Sequence, residues 1–267
     1  MKRDYLSYSA LKAFAKSPNH YLQYINKEHK ETPAMVLGSL AHCLTLEPEN
    51  FSKQFALAPE VNKRTNSGKA IWEAFMLENP DKTVITDDQY HQATKIADAV
   101  SRHRKATRVL AGKKAEQAIE GMIYGMRFKG VADALGNDAV VDLKTTQDAS
   151  PDGFRRAASN FDYHLQAAIY GHLSGHLPFY WVAVESAAPY NVAVYQPTPE
   201  SLDAADAYLR QLIERFNEWD GEPVGYGENI YELDLPPWHP AMKAWNQPTA
   251  PIIDNNDQDF NSFINSL

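Results

Sequence analysis

The hydrophobic period of the chain changes near residue 112, and this change constrains the fold more than any other feature of the sequence. Up to residue 111 the apolar residues recur mostly at helical spacing, whereas residues 115–146 alternate in the manner of β-strands. At least three strands are predicted in this segment, with Gly136-Asn137 as a tight turn between two of them. A helical region followed by strands favours a mixed α and β architecture.

The elements after residue 146 extend this pattern. They are a helix from about Pro151 to Gly175, strands within 179–186 and 190–197, and a helix from Pro199 to Trp219. The predicted fold class is therefore α+β, with a central mixed β-sheet flanked by helices and a helical N-terminal region.

The N-terminal helices have recognisable ends. Ser7 or Ser9 caps the first one, Ser17-Pro18 interrupts it, and a second helix follows at once. Residues 34–46 are apolar nearly all round, which is typical of a buried helix. Further helices are predicted over 70–78 and 87–111, after a polar loop at 59–69.

The length of 267 residues allows one large domain. We assign residues 1–248 to it, with 1–111 mainly helical and 112–248 carrying the sheet and the C-terminal elements. Residues 249–267 are predicted to be an acidic, weakly ordered tail.

Composition excludes several classes of protein. The single cysteine, Cys43, rules out an intrachain disulfide framework and any cluster held by several thiolates. No signal sequence or membrane span is recognisable, so a cytoplasmic protein without a membrane partner is expected. The net charge of −8 is unevenly spread, because residues 200–267 hold 13 of the 34 acidic residues and three of the 26 basic ones. The rest of the chain is close to neutral, which leaves a nucleic-acid partner open.

Two carboxylates and a lysine fall on the strands beside Gly136-Asn137. If those two residues form the hairpin loop, Asp133 lies opposite Val140, and Asp142 is its diagonal neighbour on the same face. Lys144 projects from that face too. Paired carboxylates favour a hard divalent cation such as Mg²⁺ or Mn²⁺. With a lysine beside them, they indicate metal-assisted hydrolysis of a phosphate ester.

The simpler alternative is a solvent-facing hairpin with ordinary polar side chains. The apolar neighbours Val140, Val141 and Leu143 favour a buried strand instead, where an unpaired carboxylate is costly.

Other polar residues have two interpretations each. His42 on its apolar helix is either a core histidine or, with Gly38 one turn earlier allowing close approach, a metal ligand. Glu116 and Glu120 precede the hairpin, and the pattern does not choose between them as a further acidic group. One helix face carries the stripe Tyr163, Gln166 and Tyr170, which fits either plain packing or a polar set aimed at the sheet edge.

Taken together, these segments resemble the RecE-type (exonuclease VIII) branch of the PD-(D/E)XK nucleases, which implies a restriction-endonuclease-like core. The resemblance covers about residues 5–240. It rests on GSLAHCLTLEPENFSKQF, APEVNKRTNSGK, AEQAI, GVAD, VVDLKTTQDAS and YHLQAAIYG. A Cas4-like nuclease is excluded, because one cysteine cannot hold the cluster of that subgroup.

The resemblance implies a role for each matching residue. Lys144 corresponds to the catalytic lysine, Glu116 to an additional acidic residue, and Gln166 with Tyr170 to an element that contacts the DNA backbone. The implied ligands of Mg²⁺, or of Mn²⁺ in its place, are His42, Asp133, Asp142 and the backbone carbonyl of Leu143.

The resemblance also implies an activity and partners. Such enzymes degrade linear double-stranded DNA 5′→3′ and leave 3′ single strands for an annealing protein of the RecT type, acting as ring-shaped homo-oligomers (tetramers or trimers). The candidates to grip the 5′ phosphate are Arg64, Thr65, Ser67 and Lys69, for which an ordinary polar loop is the alternative, and Tyr163 is a further expected DNA contact. The rival from another class is a non-catalytic DNA-binding or ring-forming protein that retains the fold.

Overall fold

The computed structural model describes residues 3–26, 31–226, 230 and 232–235. The chain separates into two compact units, residues 1–225 and 226–267, and all the helices and strands given below belong to the first. The predicted domain end at residue 248 and the predicted acidic tail lie outside the described residues.

The N-terminal region is helical, as predicted, but it also contributes three short strands. Its helices are α1 (Tyr8–Lys16), α2 (Pro18–Asn26), α3 (Pro33–Leu46), α4 (Phe51–Gln54), α5 (Asn66–Glu78), α6 (Asp87–Arg102) and α7 (Arg104–Leu110). Its strands are β1 (Tyr5–Leu6), β2 (Phe55–Leu57) and β3 (Thr83–Ile85). Ser7 accepts a hydrogen bond from the backbone of Ala10 and is the N-cap of α1, which decides between the two predicted caps.

The second half of the unit holds most of the sheet. Its strands are β4 (Lys114–Ile123), β5 (Met126–Leu135), β6 (Val140–Thr146), β7 (Phe179–Glu185) and β8 (Val192–Tyr195). Its helices are α8 (Pro151–Asn160), α9 (Tyr163–Leu173) and α10 (Pro199–Glu218). The three strands predicted within 115–146 and the pair after residue 178 are confirmed.

The main sheet is mixed and six-stranded, in the order β1-β5-β6-β7-β8, with β4 also paired to β5. Strand β6 runs antiparallel to β5 and parallel to β7. Its residues Val140 to Leu143 are buried, so this strand lies in the interior of the sheet. Strands β2 and β3 form a separate parallel pair.

Helices cover both faces of the main sheet. On one face α1, α9 and α10 pack around Phe14, Phe128, Leu165 and Phe216. On the other, α3 and α6 pack around a second apolar cluster that includes Val141. The predicted arrangement of a central mixed sheet flanked by helices is confirmed.

The register of the β5–β6 hairpin differs from the prediction by two residues. Leu135 pairs with Val140, and the loop comprises four residues rather than two. The reason is that Asp138 turns outward to form an ion pair with Lys113, their atoms being 2.8 Å apart, while Gly136 donates to the carbonyl of Ala139 at 3.0 Å. Continued by one residue, the observed register places Asp133 opposite Asp142 instead of Val140.

Three predicted helices differ in detail. The one expected from Pro151 to Gly175 is interrupted at Phe161 and Asp162, because Asp162 adopts a left-handed conformation with φ of 55°. The one expected over 87–111 is divided at His103, which caps α7. In α3 the first turn is exposed, so the prediction of a buried helix holds for its second half only.

No helix in the described part of the chain is long and apolar enough to cross a membrane.

Candidate active site

Asp142 lies in the middle of β6 and is almost fully buried, with 3 % of its surface exposed. Its Oδ1 accepts a hydrogen bond of 2.7 Å from the side-chain amide of Gln166 on α9. Its Oδ2 lies 2.7 Å from the Lys144 ammonium. Burial raises the pKa of Asp142 to about 6, although Lys144 opposes this rise by stabilising the carboxylate. The interior of the sheet therefore contains a charge that depends on its two polar neighbours.

Lys144 is the cation of this pair. Burial lowers the pKa of its ammonium, but the carboxylates of Asp142 and Asp133 outweigh burial, so the net shift is upward. Its Nζ also lies 4.7 Å from the ring centroid of Tyr163, within cation–π range. Lys144 is therefore held as an ammonium ion.

Asp133, His42 and Leu143 meet beside this pair. The Asp133 Oδ2 accepts a hydrogen bond of 2.8 Å from the backbone N–H of Leu143 and lies 3.5 Å from His42 Nδ1. The other ring nitrogen of His42 is 2.5 Å from the carbonyl oxygen of Leu143. The structure thus brings His42 from α3 to the sheet, as the ligand interpretation required. A Cβ at Gly38 would make only an ordinary contact of 3.5 Å with Thr145, so close approach does not require the glycine.

Glu116 belongs to the same group of side chains. The register of β4 and β5 places it opposite Asp133, and its φ of 48° is a left-handed value that a non-glycine residue rarely adopts within a strand. Burial raises the pKa of its carboxyl, and the charge of Asp133 raises it further. Glu120 instead forms an exposed ion pair of 3.2 Å with Arg127. Geometry therefore favours Glu116 over Glu120.

These residues fit a divalent cation. His42, Glu116 and Asp133 each offer one ligand atom, and the three atoms lie within 4.8 Å of one another. The Leu143 carbonyl oxygen is beside them. A cation among these oxygens would relieve the repulsion between Glu116 and Asp133, and an oxygen-rich set suits Mg²⁺ or Mn²⁺.

Asp142 is not part of that three-residue group. The predicted ligand set is thus divided, with Asp133 and His42 in the group and Asp142 held next to it by Gln166 and Lys144. The role of Asp142 as a metal ligand stays a prediction.

The polar stripe on α9 faces the sheet. The hydroxyl of Tyr170 donates a hydrogen bond of 2.8 Å to the carbonyl of Val131, while Gln166 donates to Asp142. A Cβ at Gly130 would lie 2.6 Å from the Tyr170 hydroxyl, so glycine leaves the space that this ring occupies. Both side chains support the strands that carry Asp133 and Asp142, and their contact with DNA stays a prediction.

The four polar residues predicted to contact DNA lie where α5 begins. The Thr65 hydroxyl accepts from the backbone N–H of Gly68 and donates to the carbonyl of Asn62, so it caps the helix. Arg64, Ser67 and Lys69 are exposed. No contact found among the described residues joins this loop to Asp142, so its role in DNA binding stays a prediction.

Three residues near Lys144 were missed from the sequence. Lys12 and Tyr8 come from α1, and Phe161 from the loop between α8 and α9. Burial lowers the pKa of Lys12, and the charge of Lys144 lowers it further. The hydroxyl of Tyr8 donates to the carbonyl of Phe161. The four-residue spacing of Tyr8 and Lys12 on one helix face was the available signal, but nothing local indicates which face meets the site.

A protein-family model matches residues 7–223, and its description is "PDDEXK-like domain of unknown function (DUF3799)". The chain belongs to this family. The match spans all the residues assigned to the candidate site, and it places the fold in the PD-(D/E)XK nuclease superfamily. The predicted restriction-endonuclease-like core is thereby confirmed, whereas the narrower resemblance to RecE-type enzymes is not decided by it.

Solved structures agree on the fold. A "Putative exonuclease" from Eubacterium rectale is similar with a TM-score of 0.58 and 17% identity, over 80% of each chain. A "phage related exonuclease" from Haemophilus somnus 129PT is 16% identical over 57% of this chain and 84% of that one, but its TM-score of 0.31 is too low to support an argument. No curated protein matches the chain significantly.

Binding of a divalent cation should stabilise this PDDEXK-like domain. At a Mg²⁺ concentration about 100 times its Kd, binding adds about 2.7 kcal/mol to the free energy of unfolding, which raises Tm by about 5–10 °C for a domain of this size. Differential scanning fluorimetry measures this shift. We expect Asp133→Ala to abolish it, because that side chain touches both His42 and the Leu143 backbone.

Glu120→Ala is the matched control, since it removes an acidic side chain from the same strand as Glu116 but outside the group. It should respond to Mg²⁺ like the wild type. An equal rise of Tm in Asp133→Ala and in the wild type would place the cation elsewhere.

Proposed function

We propose that the protein is a divalent-metal-dependent nuclease that hydrolyses the phosphodiester bonds of DNA. The observation that carries the proposal is the pair of Asp142, which is buried, and Lys144, which is partly buried, on a strand inside the sheet next to His42, Glu116 and Asp133. A buried carboxylate with further charged groups gathered beside it is costly to maintain and is typical of a functional site. Membership of a PDDEXK-like family supports the same conclusion.

The residues have separate roles in this proposal. Asp133, His42 and the Leu143 carbonyl would hold Mg²⁺ or Mn²⁺, with Glu116 and Asp142 beside them. When bound, the cation supplies Lewis-acid polarisation of the phosphate and lowers the pKa of water. Gln166 orients the carboxylate of Asp142 by its hydrogen bond.

Lys144 offsets the negative charge that develops on the scissile phosphate. Its ammonium is positioned by Asp142 and remains protonated because that carboxylate and Asp133 raise its pKa. A fixed cation in a site of low dielectric constant stabilises such charge more than the same cation in water.

The narrower proposal is an exonuclease that degrades linear duplex DNA 5′→3′ and leaves 3′ single strands for recombination by strand annealing. It is supported by the sequence resemblance to RecE-type enzymes and by the fold shared with a protein named as a "Putative exonuclease". A ring-shaped trimer or tetramer and a RecT-type annealing partner belong to the same proposal, and the mass of the protein in solution tests the ring.

Incubation of linear duplex DNA with the protein and Mg²⁺ tests both levels. Acid-soluble nucleotides should be released from linear DNA and not from a closed circle, and a 5′ label should be lost before a 3′ label. Asp142→Ala should lower the rate at least about 100-fold, as loss of a principal electrostatic group does.

Activity of Asp142→Ala equal to that of the wild type would refute catalysis at this site. A wild type that binds DNA in Mg²⁺ without releasing nucleotides would support the rival, a non-catalytic DNA-binding protein. If the 3′ label is lost first, the nuclease proposal stands and the proposed 5′→3′ polarity is overturned.

Lys144→Ala should abolish cleavage while sparing metal binding. The lysine contacts Asp142 and is not a ligand, so its removal leaves the acidic group intact. We expect kcat to fall about 100-fold or more, with the Mg²⁺ affinity from calorimetry unchanged or higher. Lys105→Ala, which removes an exposed lysine of α7, is the control. A loss of Mg²⁺ affinity in Lys144→Ala would contradict the role assigned to the lysine.

A further inference from the structure

Two cavities are lined by the C-terminal half of β6. One, of about 900 Å³, is lined by Lys144 itself with Gln166 and Tyr170. The other, of about 630 Å³, is lined by the next residues of β6, Thr145 and Thr146, and by Tyr163. Both volumes lie in the range of ligand-binding pockets. A DNA strand whose scissile phosphate meets Lys144 therefore has cavities of nucleotide size close to it.

Phe161 forms part of the wall of the second cavity. The residue is 52% exposed, so part of its surface is accessible to a ligand. The ring is stacked on that of Tyr163, with centroids 5.7 Å apart and an angle of 21° between the planes. About half of the Phe161 surface is thus open to solvent next to the candidate active site.

Hydrogen bonds hold the backbone around Phe161. The Phe161 N–H donates a 2.9 Å hydrogen bond to the carbonyl of Ala157, which ends α8, and its own carbonyl accepts from the Tyr8 hydroxyl. Asp162 then turns the chain in a left-handed conformation, and its carbonyl accepts from Leu165 in the first turn of α9. The backbone is thus held from both helices and from α1, and the ring packs on Tyr163, so the loss of side-chain entropy that opposes stacking on it is reduced.

Cations surround the aromatic pair. The Lys12 ammonium lies 5.7 Å from the Phe161 centroid, and that of Lys144 lies 4.7 Å from the Tyr163 centroid. Arg156 lines the same cavity, and its ion pair with Asp148 is loose at 3.9 Å. Aromatic faces combined with cations are the features by which proteins bind single-stranded nucleic acid.

We propose that Phe161 is a stacking platform for a nucleobase of the strand being cleaved. The Phe161 ring stacks on Tyr163, and the Lys144 ammonium lies over the Tyr163 ring. The Phe161 ring is therefore within about 10 Å of the Lys144 nitrogen. A stacked strand advances about 3.4 Å per nucleotide, so the base lies within about three nucleotides of the scissile bond. Because every base has an aromatic face, this contact is independent of sequence. The inference rests on the proposed nuclease function and assigns a residue to its substrate.

The test combines variants of Phe161 with DNA that lacks single bases. A set of duplexes is prepared, each with a single abasic nucleotide at one of the first four positions from one end. The affinity of the protein for each duplex is measured in Ca²⁺, and the same samples are checked for cleavage. One abasic position should weaken binding by the wild type about tenfold, the size expected for one stacked base. Phe161→Ala should bind intact DNA about tenfold more weakly and should not respond to that position.

Further variants separate stacking from other effects. Phe161→Trp should restore binding and the response to the abasic position, whereas Phe161→Leu, which keeps an apolar side chain on Tyr163, should not. Met122→Ala removes an exposed apolar side chain opposite Arg127, at the far end of β5 from Asp133, and should behave like the wild type. In Mg²⁺, Phe161→Ala should raise KM and leave kcat nearly unchanged.

The outcomes distinguish this inference from the proposed function. If the wild type cleaves DNA and Phe161→Ala shows the same affinity and the same abasic response, only the stacking platform is overturned. Tight binding by Phe161→Leu would also overturn it, because a non-aromatic contact would then suffice. A wild type that neither binds nor cleaves DNA would overturn the nuclease and the platform together.

Discussion

The candidate site depends on one buried carboxylate. Asp142 lies on a strand inside the sheet, where a charge is costly, and it is stabilised by the amide of Gln166 and the ammonium of Lys144. Removing either neighbour would leave one oxygen of this buried carboxylate without its partner. The position of α9 against the sheet, which brings Gln166 to the strand, is therefore linked to the charge of the site. The contacts that stabilise Asp142 in the sheet are therefore the same ones on which the proposed chemistry depends.

A second constraint is the gathering of Glu116, Asp133 and His42 around the Leu143 backbone. Asp133 uses the Leu143 N–H, and His42 meets its carbonyl, so one peptide unit positions two side chains from different elements. Glu116 joins them through a left-handed backbone conformation, which costs about 1–3 kcal/mol and persists only where the surrounding structure compensates. The strained backbone brings the Glu116 carboxylate close to that of Asp133, and a bound cation would offset the repulsion between the two.

The sequence predicted much of this arrangement, and the parts it missed have physical causes. Alternation located β5 and β6, and spacing placed Asp142, Lys144, Gln166 and Tyr170 on facing surfaces. The hairpin register was wrong because loop length depends on the Lys113–Asp138 ion pair, which periodicity does not show. Phe161 was missed because the left-handed turn at Asp162 sits within an uninterrupted helical pattern. The approach of His42 to Leu143, separated by 101 residues, was suggested by family resemblance and not by local pattern.

Anomalous diffraction from crystals grown with Mn²⁺ tests the central claim most directly, because it locates the ion without relying on activity. A single strong peak should lie within about 2–2.5 Å of an Asp133 oxygen and a His42 nitrogen, with Glu116 and Asp142 beside it and Lys144 not in contact. Ordered crystals in which Asp133 and His42 point apart, with manganese bound elsewhere or not at all, would contradict the account.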